Sequence, residues 1–151
     1  MNNAMSLTDK TAPAQTESLS FDIELRHAPS KVWRALTDPE LLVEWLLPVV
    51  NLKLKLERGA AFTLQAPVQP GWDGQVQCRF LEIEPLTKLS YAWVVGDLDT
   101  VVTFTLTPTA TGTRLSLVHT GFKQAQAKNQ GGARYGWKMF AARLIDVIDR
   151  P

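Results

Sequence analysis

Residues 134–148, Arg134-Tyr135-Gly136-Trp137-Lys138-Met139-Phe140-Ala141-Ala142-Arg143-Leu144-Ile145-Asp146-Val147-Ile148, carry the period of an amphipathic helix. They follow a long run of strand-and-turn sequence from Asn51 to Gly121. Trp137, Ala141, Leu144 and Ile148 stack on one face of the helix, flanked by Phe140 and Val147, while Lys138, Arg143 and Asp149 lie elsewhere. A sheet built from residues 51–121 has one apolar face that must be covered, and this helix is the cover.

Upstream of the helix the period is two. Leu115, Leu117 and His119 share one face of the last strand; Val102, Phe104 and Leu106 mark the strand before it, and Leu89, Tyr91 and Trp93 the one before that. Val76, Cys78 and Phe80 alternate until the phase slips at Leu81 and Ile83, the signature of a β-bulge, which bends a sheet. Leu52, Leu54 and Leu56 alternate with Lys53 and Lys55, Glu57-Arg58-Gly59 turns, and Phe62, Leu64 and Ala66 return, which predicts a hairpin. Nearer the N-terminus, Leu19, Phe21, Ile23 and Leu25 alternate with polar residues as a half-buried first strand. Pro29 opens a short helix to about Thr37, and Asp38-Pro39 repeats the start signal for a second. Trp33 and Trp45 are the expected anchors of these helices against the sheet. Residues 1–18 show no periodicity and read as a disordered lead-in to a single domain over residues 19–151. Lys123 to Gly132 reads as a flexible connector, with Gly131 and Gly132 as its hinge. The fold class is α+β, with about seven antiparallel strands.

Composition excludes several functions. The formal net charge of +1 creates no field for a polyanion, so nucleic acid is not an expected partner. Cys78 is the only cysteine, which rules out an internal disulfide and a CxxC zinc site. No stretch of eighteen apolar residues and no signal-peptide pattern occurs, so the expected setting is cytoplasmic, without membrane insertion.

The sequence spells out no catalytic set. His27 and His119 stand far apart, no short histidine pair suggests a metal, and Gly131-Gly132 lacks the lysine and spacing of a phosphate loop. Asp97 and Asp99 flank a turn, and Cys78 reads as a small core residue. Lys53 and Lys55 read as a solvated strand face, with a partner surface as the alternative. His119 sits on the apolar face near a strand end, either as a backbone-bonded core histidine or as a ligand contact. If the bent sheet forms a cup that one helix does not fill, its candidate lining is Phe62, Leu64, Cys78, Phe80, Tyr91, Trp93, Phe104, Leu117 and His119, with Trp137 and Phe140 on the lid. No metal and no cofactor is expected.

The segment His27-Ala28-Pro29-Ser30-Lys31-Val32-Trp33-Arg34-Ala35-Leu36-Thr37-Asp38-Pro39 resembles the first-helix signature of START-like (SRPBCC) proteins. The Trp45 segment, Gly59, Lys88-Leu89-Ser90-Tyr91-Ala92-Trp93, Gly112-Thr113-Arg114-Leu115, His119-Thr120-Gly121-Phe122 and Gly136-Trp137 resemble the family related to the C-terminal domain of the activator of Hsp90 ATPase. Together these motifs span Ser18 to Arg150. The resemblance implies the helix-grip fold, with an apolar or aromatic small molecule, lipids included, held between sheet and closing helix. It also implies, as an alternative, an Hsp90-type chaperone as partner and a role in the stress response. A few relatives are cyclases or hydrolases, and for such an enzyme His119 is the residue available inside the cup.

Overall fold

The computed structural model describes residues 6–150. In chain order the elements are β1 (Ser6–Asp9), β2 (Ser18–Leu25), α1 (Pro29–Thr37), α2 (Pro39–Trp45), β3 (Ala61–Gln65), β4 (Gln75–Glu84), β5 (Lys88–Val95), β6 (Leu98–Thr109), β7 (Gly112–Thr120) and α3 (Ala127–Ile148). All seven strands form one antiparallel sheet in the order β1-β2-β7-β6-β5-β4-β3. Strands β3 to β7 are a meander, joined by short turns except for the longer β3–β4 loop (66–74), and β2 closes against β7 across the length of the chain. This is the helix-grip arrangement, with α3 laid over the concave face.

The alternation read from sequence translates directly into burial. In β2, Leu19, Phe21, Ile23 and Leu25 are at most 2% exposed, whereas the residues between them are half-buried. Phe80 pairs with Tyr91 and Glu82 with Ser90, so Leu81 has no partner opposite it and the bulge falls where the phase slips. At the break between the first two helices, the Asp38 carboxylate accepts from the Glu40 N–H at 2.9 Å as an N-cap. The Trp45 indole N–H then donates to the Ala35 carbonyl at 2.8 Å, locking α2 onto α1. Trp45 is a buried anchor against Phe104, but Trp33 is only half-buried.

Three local expectations differ from the structure. Leu52, Leu54 and Leu56 form no strand: Asn51 and Leu52 both take left-handed backbone (φ 60° and 53°), and Leu52 and Leu56 remain exposed. Alternation here carries little burial, only Leu54 packing partly against the core, because the segment loops past the sheet edge after the Val49–Leu64 bridge. The seventh strand lies instead at Ser6–Asp9, inside the stretch read as disordered, and pairs with β2 from Ser6–Glu24 to Asp9–Phe21. Its side chains also tie down α3. Asp9 Oδ2 accepts from Arg134 Nε at 2.9 Å and lies 3.7 Å from Lys138 Nζ.

The third difference is the connector. The closing helix begins at Ala127 and runs 22 residues, so Gly131 and Gly132 are helical. Glycine permits a break without requiring one. The buried Gln130 side chain donates to the carbonyls of Gln15 (2.9 Å) and Ser18 (3.1 Å), holding this polar first turn in place. A Cβ at Gly131 would meet nothing within 4 Å. Gly131→Ala is therefore expected to stabilise the protein by about 0.5–1 kcal/mol, raising Tm by about 1–4 °C. A thermal melt showing no gain would mean that these residues are not helical in solution.

Candidate functional site between the closing helix and the sheet

A cavity of about 800 Å³ opens between one stripe of α3, the sheet and two loops. On α3 the stripe is Lys128, Gly132, Gly136, Met139–Phe140 and Arg143, the three-to-four residue spacing of a single helix face. Val76 of β4, Trp93 and Val95 of β5 and His119 of β7 form its sheet wall. Leu47, after α2, and Ala66, Pro67, Gln69 and Trp72 of the β3–β4 loop supply the remaining side. The cavity exists because the α3 residues over it are small: Gly132, Ala133 and Gly136 put no side-chain bulk where the helix crosses the sheet.

Four expected lining residues meet here: Trp93, His119, Trp137 and Phe140. Trp93 and Trp137 have ring centroids 5.5 Å apart, and Trp137 meets Phe140 edge-on at 5.6 Å. The other seven, Phe62, Leu64, Cys78, Phe80, Tyr91, Phe104 and Leu117, lie outside the cavity lining, within the buried core. Phe62, Phe80, Tyr91 and Phe104 pack as a chain of rings, with centroid separations between 4.7 and 6.0 Å, and so fill that part of the cup themselves. Burial pushes the Cys78 thiol and the Tyr91 hydroxyl well above their ordinary pKa values, which keeps both neutral. The sequence reading missed Trp72, Met139, Lys128 and Arg143. A tryptophan set between the turn residues Gly71 and Asp73 was the available signal for the first, and Lys128 became visible only with the full extent of α3. Met139 and Arg143 were already within the helix read from sequence, but Arg143, placed away from the apolar stripe, lines the cavity because the opening reaches the flank of that stripe.

His119 is the polar centre of the wall, and its bonding is fully specified. The Trp137 indole N–H can only donate, and it points at His119 Nδ1 from 2.9 Å, so that nitrogen is unprotonated. The neutral ring therefore carries its proton on Nε2 and donates to Thr100 Oγ1 at 2.7 Å, which in turn donates to the Trp93 carbonyl at 2.7 Å. Burial lowers the His119 pKa from 6.5 to about 3. A second proton would also bring two N–H donors face to face. With both nitrogens committed, His119 has no free lone pair for general-base work. Among the described residues, no group of three or more His, Cys, Asp or Glu is placed to hold a metal ion.

With this geometry in view, the similarities to known proteins become specific. The family described as "Activator of Hsp90 ATPase homolog 1-like protein" matches residues 26–149. The chain belongs to this family. Within the START-like superfamily, its fold is shared by protein MLL2253 from Mesorhizobium loti, with a TM-score of 0.80 and 39% identity, over 88% of this chain and 97% of that one. CalU16 from Micromonospora echinospora matches at a TM-score of 0.72 and 26% identity, over 96% of this chain and 85% of the other. Protein CV1439 from Chromobacterium violaceum, at 24% identity and a TM-score of 0.74, shares the fold over 91% of this chain and 100% of its own. No curated protein sequence matches the chain. Membership of this activator-of-Hsp90-ATPase-like family makes the chain a domain of ligand-binding type, and no helix among the described residues is long and apolar enough to cross a membrane.

The His119 environment has a measurable pH signature. Above about pH 6.5 the imidazole is neutral in both folded and unfolded chains, so it contributes no pH dependence. As pH falls from there toward about 3, the unfolded chain takes up a proton that the folded chain refuses. Stability then drops by about 1.4 kcal/mol per pH unit from this group alone. Urea titrations between pH 7 and pH 4 are expected to show a steeper loss for the wild type than for His119→Gln. Parallel losses in the two proteins would mean that His119 takes up protons in the fold.

Proposed function

We propose that this protein binds a small apolar or aromatic molecule in the cavity between α3 and the sheet. The observation that carries the reading is the cavity itself: about 800 Å³ in volume, walled by Trp72, Trp93, Trp137 and Phe140. Ligand sites of about 300–1,000 Å³ are the usual size for small molecules, with apolar and aromatic walls and few polar groups. Flat rings would lie against the packed indoles of Trp93 and Trp137, with Met139 adapting to their outline. Lipid chains fit the same walls. The lone buried thiol of Cys78 suits a reducing cytoplasm, where this binding would occur.

The family's name supports a second reading, an interaction domain for an Hsp90-type chaperone that acts in the stress response. That reading uses the outer surface and leaves the cavity without a role. Stimulation of an Hsp90-type ATPase by this protein would favour it, and no binding at tens of micromolar would remove it.

Gly132 offers the direct test of the cavity. A Cβ there meets nothing within 4 Å, and the residue is helical and lines the opening. Gly132→Leu should thus fold at least as stably as the wild type while its side chain occupies the cavity. With N-phenyl-1-naphthylamine as probe, the wild type is expected to bind with enhanced dye fluorescence and Gly132→Leu to lose binding by tenfold or more. Equal binding by both proteins would place the dye elsewhere and sink the proposal.

A further inference from the structure

The charges around the cavity are of one sign. Of its eighteen lining residues only Lys128 and Arg143 are charged, and none is an aspartate or glutamate. The protein as a whole is nearly neutral, at +1, so this bias belongs to the site. Both cations are exposed, and neither forms an ion pair among the described residues, whereas the other α3 cations that face a partner element, Arg134 and Lys138, are spent on Asp9. A neutral apolar ligand gives two unpaired cations at the mouth nothing to do. An amphipathic anion, with its rings or chain against the indoles and its charged head at the rim, satisfies both halves of the lining.

The two ends of the cavity are unequal. Lys128 and Arg143 are fifteen positions apart on α3, about 22 Å at 1.5 Å per residue. Asp146 stands one turn beyond Arg143, within the i,i+3 reach that offsets a cation. Around Lys128 the first turn of α3 holds no acidic residue, and the neighbouring Asn129, also cavity-lining, adds an amide donor for an oxyanion. Resting on the cavity reading above, we infer that the ligand class is an anionic amphipath, an aromatic or aliphatic body bearing a carboxylate, sulfonate or phosphate, with its anionic group at the Lys128 end.

A matched pair of dyes separates this inference from the reading beneath it. N-Phenyl-1-naphthylamine and 1-anilinonaphthalene-8-sulfonate share one ring system and differ by the sulfonate. In low salt, Lys128→Gln is expected to raise the Kd of the sulfonate dye by about fivefold, the upper range for one exposed charge pair. The neutral dye's Kd should stay unchanged, Arg143→Gln should have a smaller effect on the sulfonate, and about 0.5 M salt should erase the difference between Lys128→Gln and wild type. If Lys128→Gln and the double variant with Arg143→Gln bind the sulfonate as the wild type does while the neutral dye still binds, the anionic class is wrong and the cavity reading stands. If neither dye binds the wild type, the cavity reading itself fails. Lys128 is exposed, so loss of fold does not confound the comparison.

Discussion

The helix is fixed to the sheet by one buried polar chain: the Trp137 indole to His119, His119 to Thr100, and Thr100 to the Trp93 carbonyl. Each step is a neutral hydrogen bond of 2.7–2.9 Å in a region from which water is excluded, where an unmade bond costs more than a made one contributes. Apolar contacts alone would let α3 slide or rotate over the sheet. The bonding chain sets its register by linking one helix residue to strands β5, β6 and β7. The rings on either side, Trp93 and Phe122, pack around His119 at 5.8 and 4.7 Å and keep it dry.

From that fixed point the two halves of α3 have different fates. Toward its C-terminus Ala141, Leu144, Val147 and Ile148 are buried, and this half closes the core with α1 and α2. Toward its N-terminus the helix bears glycines and stands off the sheet above the cavity. There it is held by the chain's N-terminal segment, through Asp9 to Arg134 and Lys138 and through Gln130 to the carbonyls of Gln15 and Ser18. Burial pushes the Asp9 carboxyl up, but the bonds from Thr11 and Arg134 outweigh it and hold it below its ordinary value. The strap therefore stays charged at neutral pH.

The sequence was most legible where periodicity reports burial. The alternations of Leu19–Leu25 and Leu115–His119, the phase slip at Leu81 and the stripe Trp137–Ile148 all have direct structural counterparts. It misled where the pattern and burial part company. Leu52, Leu54 and Leu56 alternate without a sheet to face, and Ser6–Asp9 is too short to alternate visibly yet finds an edge to pair with. The first turns of α3 face cavity and solvent, so they lack the apolar period that reveals a helix. For the site, alternation identified which side chains point inward but not which of them touch one another. Phe80 and Phe104 occupy inward positions like that of Trp93, and only the seat of α3 decides that the first two become core and the third a wall.

The three glycines of α3 bear on how the helix opens locally. Each glycine in a helix interior costs about 1 kcal/mol relative to alanine. Gly131, Gly132 and Gly136 all fall in the half that lacks core burial, so the helix has a gradient of local opening free energy along its length. Segments with few buried apolar contacts open at far less cost than the domain unfolds. The N-terminal turns can thus fray, once the strap is released, while the C-terminal turns keep the domain folded. Widening of the cavity at that end is in this way decoupled from global stability.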